Sequence, residues 1–387
     1  MALLFAILLS LPRALPQTTT TSLISPSPSS SATLPSGPST ITTFVGGAPD
    51  FGAQRHIPVL RQPLFVAPDL AGGFYVSQQG RDCVRIYYGN GSTGNLAGSC
   101  NLAASLLVGE PLGDGMVALN RPTGRSPRLQ GRALLANFSG VFIADALFAR
   151  VRFVDTVGSG VISTVIGNGA LCPGAGADAA GPASAMCLGS LPGGLAWNFS
   201  CSSAAAAGPP AACALRTPPS AAAAQLLLSD AASGLIRAFS PATGLLTTVA
   251  GVAGVLPTAG ASGNGAPWRA APMAPTALAV HPFTGVVHFL DGALGTARAL
   301  ADNGTVAHVA GRPFQASLGF PDCTGTFAAS TRLETAVALA FDSNGLLLVA
   351  EGGTWGAVTR IDAAGRRVCL VQGAYYASLQ EFVGGGG

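Results

Sequence analysis

The chain has 387 residues, of which 49% are hydrophobic and 10% are charged, and its formal net charge is +3. This length and apolar content allow a large core within one or two domains. All 20 basic residues are arginine. They form no basic patch interleaved with aromatic residues, so nucleic acid is not an expected partner.

The N-terminal part of the chain differs in composition from the rest. Residues 1–17 include an apolar stretch that is too short to span a bilayer and is typical of a secretory signal peptide. Residues 18–40 are rich in Ser, Thr and Pro, and they are predicted to be a disordered linker because they cannot bury enough apolar surface to fold. No apolar run of membrane-spanning length follows, so no transmembrane segment is predicted.

One apolar stretch that ends in small residues and glycine recurs along the rest of the chain. Its copies read "ITTFVGG" (41–47), "NLAG" (95–98), "VISTVIG" (161–167), "LLTTVAG" (245–251), "TVAHVAG" (305–311) and "RVCLVQG" (367–373). Sets of three short predicted strands lie between the copies. Short β-rich runs with glycine turns at a repeating period predict a β-propeller.

These motifs resemble the NHL repeat family of β-propellers. The matching pieces are "TTVAG", "FVAPDLAGGFYVS" with "VRI", "VFIAD" with "VRF", and "LLVAE" with "TRI". The resemblance covers residues 41–373 and implies an all-β propeller built from four-stranded blades. We name the strands of each blade a, b, c and d, from the propeller axis outward.

The number of blades follows from counting these strands. The sequence contains five a–b–c sets and six d strands, which predicts five to six blades. The unpaired d strand at 41–47 favours a six-blade plan whose last blade is incomplete. Residues 374–387 are too few for three more strands, so they are predicted to be a C-terminal tail or a truncated blade.

The antiparallel order of the strands divides the propeller into two faces. The a–b and c–d turns lie on one face, which we call the a–b face, and the b–c turns and d-to-a connections lie on the other, the d–a face. Four N-x-[ST] sequons, at Asn90, Asn137, Asn198 and Asn303, are predicted glycosylation sites on the a–b face. The long connections are predicted to lie on the d–a face and to bind a protein, peptide or glycan there.

Eight cysteines support an oxidising compartment. Their positions in the repeats predict three local disulfides, Cys83–Cys100, Cys172–Cys187 and Cys201–Cys213, and the two cysteines that remain give a fourth predicted pair, Cys323–Cys369. The sequence has no CxxC motif or other zinc-site spacing. Together with the sequons and the predicted signal peptide, the cysteines predict a secreted, extracellular glycoprotein.

An acidic residue that ends strand b and an arginine in strand c recur in the blades. The predicted pairs are Asp145 with Arg152, Asp230 with Arg237, Asp291 with Arg298, and Glu351 with Arg360, and the first blade has Ser77 with Arg85. A ring of charge for binding is one interpretation. A structural ion pair is favoured, because every blade has to close the same turn.

No catalytic residue is predicted, because the sequence has no G-x-S-x-G, H-E-x-x-H or phosphate-binding glycine motif. The main prediction is therefore a binding module without a cofactor, and an enzyme is the less favoured interpretation. The family resemblance also implies an alternative, a metal-dependent lyase, lactonase or esterase that holds calcium or zinc. The candidate ligands, at the inner strand ends, are Asp69, Asn137, His281 and Asp342.

Overall fold

The structure is a computed structural model that describes residues 63–69, 72–78, 83–88, 92–98, 114–115, 117–118, 129–137, 139–146, 148–172, 174, 180–190, 192–198, 224–314, 325–342, 344–352 and 356–372. These residues form five four-stranded antiparallel sheets arranged as a five-blade β-propeller. The predicted all-β propeller is confirmed. No helix in this part of the chain is long and apolar enough to cross a membrane.

Each blade is made of strands that follow one another in the chain. Blade 1 contains β1 (Pro63–Pro68), β2 (Phe74–Gln78), β3 (Cys83–Tyr87) and β4 (Thr93–Gly98), and blade 2 contains β5 (Gly131–Asn137), β6 (Gly140–Asp145), β7 (Arg150–Asp155) and β8 (Ile162–Ile166). Blade 3 contains β10 (Leu195–Asn198), β11 (Gln225–Asp230), β12 (Leu235–Ser240) and β13 (Leu245–Gly251), with the short β9 (Gly181–Pro182) at its edge. Blade 4 contains β14 (Pro275–Val280), β15 (Val287–Asp291), β16 (Thr296–Leu300) and β17 (Val306–Ala310), and blade 5 contains β18 (Ala336–Phe341), β19 (Leu347–Glu351), β20 (Ala357–Ile361) and β21 (Arg367–Gln372).

The blade count is the lower of the two predicted values. Every a–b–c set pairs with the d strand that follows it, so no blade needs a strand from elsewhere in the chain. The last blade, β18–β21, has all four strands. The favoured six-blade plan with an incomplete last blade is therefore not what the structure shows, and residues 41–47 and 373–387 lie outside the described part.

The core lies in the seams between neighbouring blades. The inner strands β1, β5, β10, β14 and β18 contact one another in chain order. Strand alternation turns apolar side chains of adjacent sheets toward each other. Between blades 3 and 4, for example, Leu227, Ile236, Met273 and Phe289 are fully buried in one cluster. Burial of one such side chain contributes about 1.5–3 kcal/mol.

The recurring glycine motif has a structural cause. In every blade the c–d pairing shifts register at the same place, which leaves one bulged residue in strand d: Leu96, Val165, Val249, Val309 or Leu370. In blade 3 the glycine that ends strand d, Gly251, has φ +99°, and a Cβ there would lie 2.0 Å from the carbonyl oxygen of Gly234 in the b–c turn. Only glycine fits this approach.

The d-to-a connections cover the outer edge of the next blade. They pair with the start of its d strand through Val117↔Val161, β9 with β13, Pro267↔Thr305 and Phe327↔Arg366. In three connections a 3-10 turn begins beside this pairing, at Ala183, Trp268 and Ala328. The backbone N–H of each of these residues donates to a carbonyl of the c–d turn, over 2.8–3.0 Å. Unpaired strand edges invite aggregation, and these contacts protect them.

The path of the connections corrects part of the sequence interpretation. The connection between blades 3 and 4, described throughout, begins on the d–a face at Val252, reaches the c–d turn of blade 4 through Trp268, and returns to start strand a at Pro275. Its middle therefore lies along the rim rather than on the d–a face. The reason is that strand d would otherwise leave its backbone N–H and C=O groups unpaired along one side.

Candidate functional site

Buried arginines anchor the connections to the d–a side of the blades. In blade 4 the guanidinium of fully buried Arg298 contacts Asp291 at 2.7 Å and donates to Asn264 Oδ1 and the Pro272 carbonyl, both at 3.0 Å. In blade 2 the equivalent Arg152 lies 3.6 Å from Asp145 and 2.9 Å from Asp114 of the connection. These contacts hold the two connections against blades 2 and 4.

The acidic residues at the ends of the b strands bind backbone as well as arginine. Asp145 Oδ1 accepts from the Gln130 N–H at 3.2 Å, and Asp291 Oδ2 accepts from the Ala274 N–H at 3.3 Å. Asp230 accepts from two connection N–H groups at 2.8 and 2.9 Å. Each carboxylate thus ties the end of strand b to the chain entering strand a, which supports the structural interpretation of these repeated acids.

Blade 5 corrects one of the predicted pairs. Buried Glu351 pairs with the guanidinium of Arg367 in strand d, not with Arg360. Strand alternation explains the difference, because Thr359 occupies the position of the other strand-c arginines and donates to Glu351 at 2.8 Å, whereas Arg360 is one residue further along. Burial raises the pKa of Glu351, and the Arg367 charge opposes that rise.

Blade 1 lacks the acid altogether. The predicted counterpart was Ser77, but the register places Gln78 opposite Pro63, as Asp145 stands opposite Gly131. The Ser77 hydroxyl instead accepts from the Phe65 N–H at 3.1 Å. Arg85 keeps the strand-c position, and within the described residues it has no acidic partner.

The four candidate metal ligands each close their own a–b turn. Asp69 accepts from the Gly73 N–H at 3.3 Å, Asn137 from Gly140 at 2.8 Å, His281 from Thr284 at 3.2 Å, and Asp342 from Leu346 at 2.9 Å. They belong to four different blades. The described residues contain no group of three or more His, Cys, Asp or Glu side chains that could hold a metal ion. A metal site at these positions stays a prediction.

Two histidines pack in the seam between blades 4 and 5. The ring centroids of His281 and His288 lie 6.5 Å apart, and Phe341 of blade 5 lies 4.9 Å from one and 5.0 Å from the other. Burial lowers the pKa of His288 to about 4 and also lowers the pKa of His281. These features are typical of neutral imidazoles used for packing.

One predicted disulfide is confirmed. Cys172 and Cys187 are bonded, with their Cα atoms 5.8 Å apart, and they link two parts of the connection between blades 2 and 3. Cys83 and Cys369 are also disulfide-bonded. The predicted partners of these two, Cys100 and Cys323, and the predicted pair Cys201–Cys213 lie outside the described residues. A disulfide is typical of an oxidising or extracellular environment.

The sequons within the described residues lie on the a–b face, as the strand order predicts. Asn137 and Asn198 end the inner strands of blades 2 and 3, and Asn303 lies in the c–d turn of blade 4, all on the a–b face. Asn303 is exposed, and its Oδ1 accepts from the Thr305 hydroxyl at 2.7 Å. Asn90 lies outside the described residues. Glycosylation itself stays a prediction.

Exposed apolar side chains recur on both faces, at Tyr88, Val157 and Leu245 beside c–d turns of the a–b face and at four positions near the d–a face. Leu171, Val255, Leu256 and Phe314 are 53%, 45%, 44% and 50% exposed. They follow the glycines that end three successive d strands (Gly167, Gly251 and Gly311) by only three to five residues. Because a residue spans at most about 3.6 Å, they lie close to that face. The hydrogen bond from the Gly254 N–H to Ser233 in a b–c turn confirms this placement for Val255.

Charge also differs between the two faces. Among the described residues, Arg132, Arg150 and Arg312 lie at strand ends or connections of the d–a face, and Arg132 and Arg312 are exposed. The a–b face carries acidic residues in its turns: Asp69, Asp155, Asp302, Asp342 and Asp362. Backbone N–H groups of Ser159 and Gly158 lower the pKa of Asp155 to about 2, so this carboxylate is charged throughout the physiological range.

The sequence interpretation missed the exposed apolar residues. Their only signal was an apolar side chain soon after the glycine of each d strand, inside a Gly/Pro-rich stretch that reads as a plain loop. Trp268, also in a connection, packs against the c–d turn of blade 4, where its Nε1 donates to the Thr305 carbonyl at 3.0 Å.

Known structures that resemble this chain are propellers of diverse function. Neither a protein-family model nor a curated protein sequence matches it. It is similar to a protein of unknown function from Bacteroides thetaiotaomicron, at 10% identity and a TM-score of 0.49, over 82% of this chain and 62% of that protein. This chain therefore spans less than two thirds of that protein's length.

Two enzymes are similar as well. Virginiamycin B lyase from Staphylococcus aureus shows 11% identity and a TM-score of 0.40, over 80% of this chain and 69% of the lyase. A gluconolactonase from Xanthomonas campestris shows 13% identity and a TM-score of 0.43, over 80% of this chain and 75% of the lactonase. At these values none of the three similarities carries an argument about activity or ligand.

Proposed function

We propose that this protein is a secreted binding module that holds a polypeptide partner on its d–a face. The observation that carries the proposal is the recurrence of Leu171, Val255, Leu256 and Phe314 as exposed side chains in three successive connections. A single exposed apolar residue needs no explanation. We take their repetition near the d–a face, in connections that buried ion pairs hold in place, as the mark of a surface for a partner.

The anchoring of the connections strengthens this proposal. Buried Arg152 and Arg298, the carboxylates beside them and the Cys172–Cys187 disulfide hold the connections in place before any partner binds. A surface that is already ordered loses less conformational entropy on binding. The d–a face therefore resembles a preorganised binding surface more than a set of free loops.

Phe314 supports the same conclusion through its backbone. Its φ is +56°, in the left-handed region that a bulky residue seldom adopts, and its side chain remains half exposed. Backbone strain of this kind costs about 1–3 kcal/mol and is concentrated at functional sites. We expect Phe314 to be a central contact for the partner.

A binding screen with face-specific variants tests the proposal. The purified protein is screened against a displayed random-peptide library and a glycan array. The affinity of each hit is then measured for the natural protein and for the variants Leu256→Asp and Phe314→Asp. Val157→Asp is the matched control, because Val157 is 74% exposed on the a–b face. We expect at least tenfold weaker peptide binding for the d–a variants alone. Peptide hits that depend only on Val157, or hits confined to glycans, would contradict the proposal.

A further inference from the structure

The carboxylate at the end of strand b is a fixed part of four blades. Asp145, Asp230, Asp291 and Glu351 are all buried, and three of them contact a buried arginine: Asp145 with Arg152, Asp291 with Arg298, and Glu351 with Arg367. The repeated contact shows that this part of a blade is built around one positive and one negative group.

Blade 1 keeps the positive group, and its described residues place no negative group beside it. Arg85 stands opposite Val76, as Arg152 stands opposite Ile143, and Gln78 takes the place of Asp145. Residues two apart on a strand share a face, so Gln78 and Arg85 lie on the same side of this sheet. Asn95 of strand d stands opposite Arg85.

Arg85 is more exposed than Arg152, Arg237 and Arg298, which are fully buried. Its Nε is buried and has no hydrogen-bond acceptor, which is also true of the acid-paired Arg367, but the side chain of Arg85 as a whole is only half buried, so solvent and dissolved anions reach part of it. Partial burial of a cation carries part of the desolvation cost of full burial, and an anion beside it offsets that cost. The amide of Gln78 is neutral and cannot supply that charge.

We propose that Arg85, flanked by Gln78 and Asn95, binds a carboxylate group from outside this chain, in the position that Asp145 and Asp291 fill in their own blades. The guanidinium plane matches a carboxylate through two parallel hydrogen bonds, which makes this anion class the best fit. The ligand is a molecule that bears a carboxylate, such as an acidic peptide side chain or a small organic acid. The site is separate from the apolar residues of the d–a face.

Thermal unfolding in acetate tests the proposal with the intact protein. Sodium acetate and sodium chloride are compared at equal ionic strength. For the natural protein we expect acetate to raise the Tm by about 2 °C or more, with a rise that grows with the logarithm of its concentration. Gln78→Glu supplies the missing carboxylate, so we expect a higher Tm without acetate and no further rise with it.

Two variants and one second anion make the result decisive. Arg85→Met should lose the acetate response, and Gln225→Glu, a matched change in strand b of blade 3, should keep it. The proposal is wrong if acetate is no better than chloride, or if Gln78→Glu still responds to it. A larger effect of inorganic phosphate would replace the carboxylate with a phosphate ligand.

Discussion

Asp291 and Arg298 are both fully buried, and their side chains meet at 2.7 Å in blade 4. The same two side chains also bind the connection that enters the blade, through the Ala274 N–H and the Pro272 carbonyl. The pair therefore joins strand b, strand c and the connection at one point. This arrangement gives the acid and the arginine that recur along the sequence a structural role.

Removal of one member of this pair should be costly. Asp291→Asn leaves Arg298 buried without its counter-charge, and we expect the free energy of unfolding to fall by about 3 kcal/mol. Asp302→Asn, at an exposed c–d turn, should change it by less than about 0.5 kcal/mol. Thermal and denaturant unfolding measure both variants. Equal stability of the two would show that the buried pair does not anchor the blade.

The glycine that ends strand d gives a second prediction. Gly251→Ala places a Cβ 2.0 Å from the Gly234 carbonyl oxygen at φ +99°, whereas Gly244 has φ +69° with no atom within 4 Å of its added Cβ. We expect Gly244→Ala to cost about 1 kcal/mol from backbone strain alone and Gly251→Ala to cost clearly more. Similar Tm values for the two variants would contradict the steric explanation of the motif.

The histidine seam predicts a loss of stability in acid. Burial lowers the folded-state pKa of His288 from 6.5 to about 4. Between these values the unfolded chain binds a proton that the folded protein does not, so stability is complete above pH 6.5 and falls as the pH drops toward 4. His288→Phe should make unfolding less dependent on pH in this window. Parallel pH profiles for the variant and the natural protein would argue against this cause.

The sequons predict where sugar is attached. After expression in a eukaryotic secretory host, glycopeptide mapping should find a glycan at exposed Asn303, and Asn303→Gln should remove the mass of one glycan. Sugar on the connections of the d–a face, or a bare Asn303, would contradict the division of the molecule into a glycosylated face and a binding face.

The sequence predicted the strands well, because each one carries a local signal. The d strands could be recognised from a bulged apolar residue followed by glycine, as in Val249 to Gly251, and this pattern arises within a few residues. The alternation of strands then correctly placed Asn137, Asn198 and Asn303 on one face.

Contacts between distant residues were harder to predict. The pairing of Glu351 with Arg367 depends on which side of a strand each side chain occupies, and a shift of one residue reverses that side. The pairing of Pro267 with Thr305 joins a loop to the next blade and leaves no periodic pattern in either segment. The exposure of Phe314 depends on its tertiary surroundings, so no local pattern predicts it.

Hydrogen exchange with a bound peptide ligand tests the central proposal most directly. A ligand selected by the screen is added to the intact protein, and amide protection is compared between the two faces. We expect protection in residues 252–256 and 311–314 and in the b–c turns, with no change in the a–b turn at 281–286 or the c–d turn at 301–305. Protection confined to the a–b and c–d turns would contradict a binding role for the d–a face.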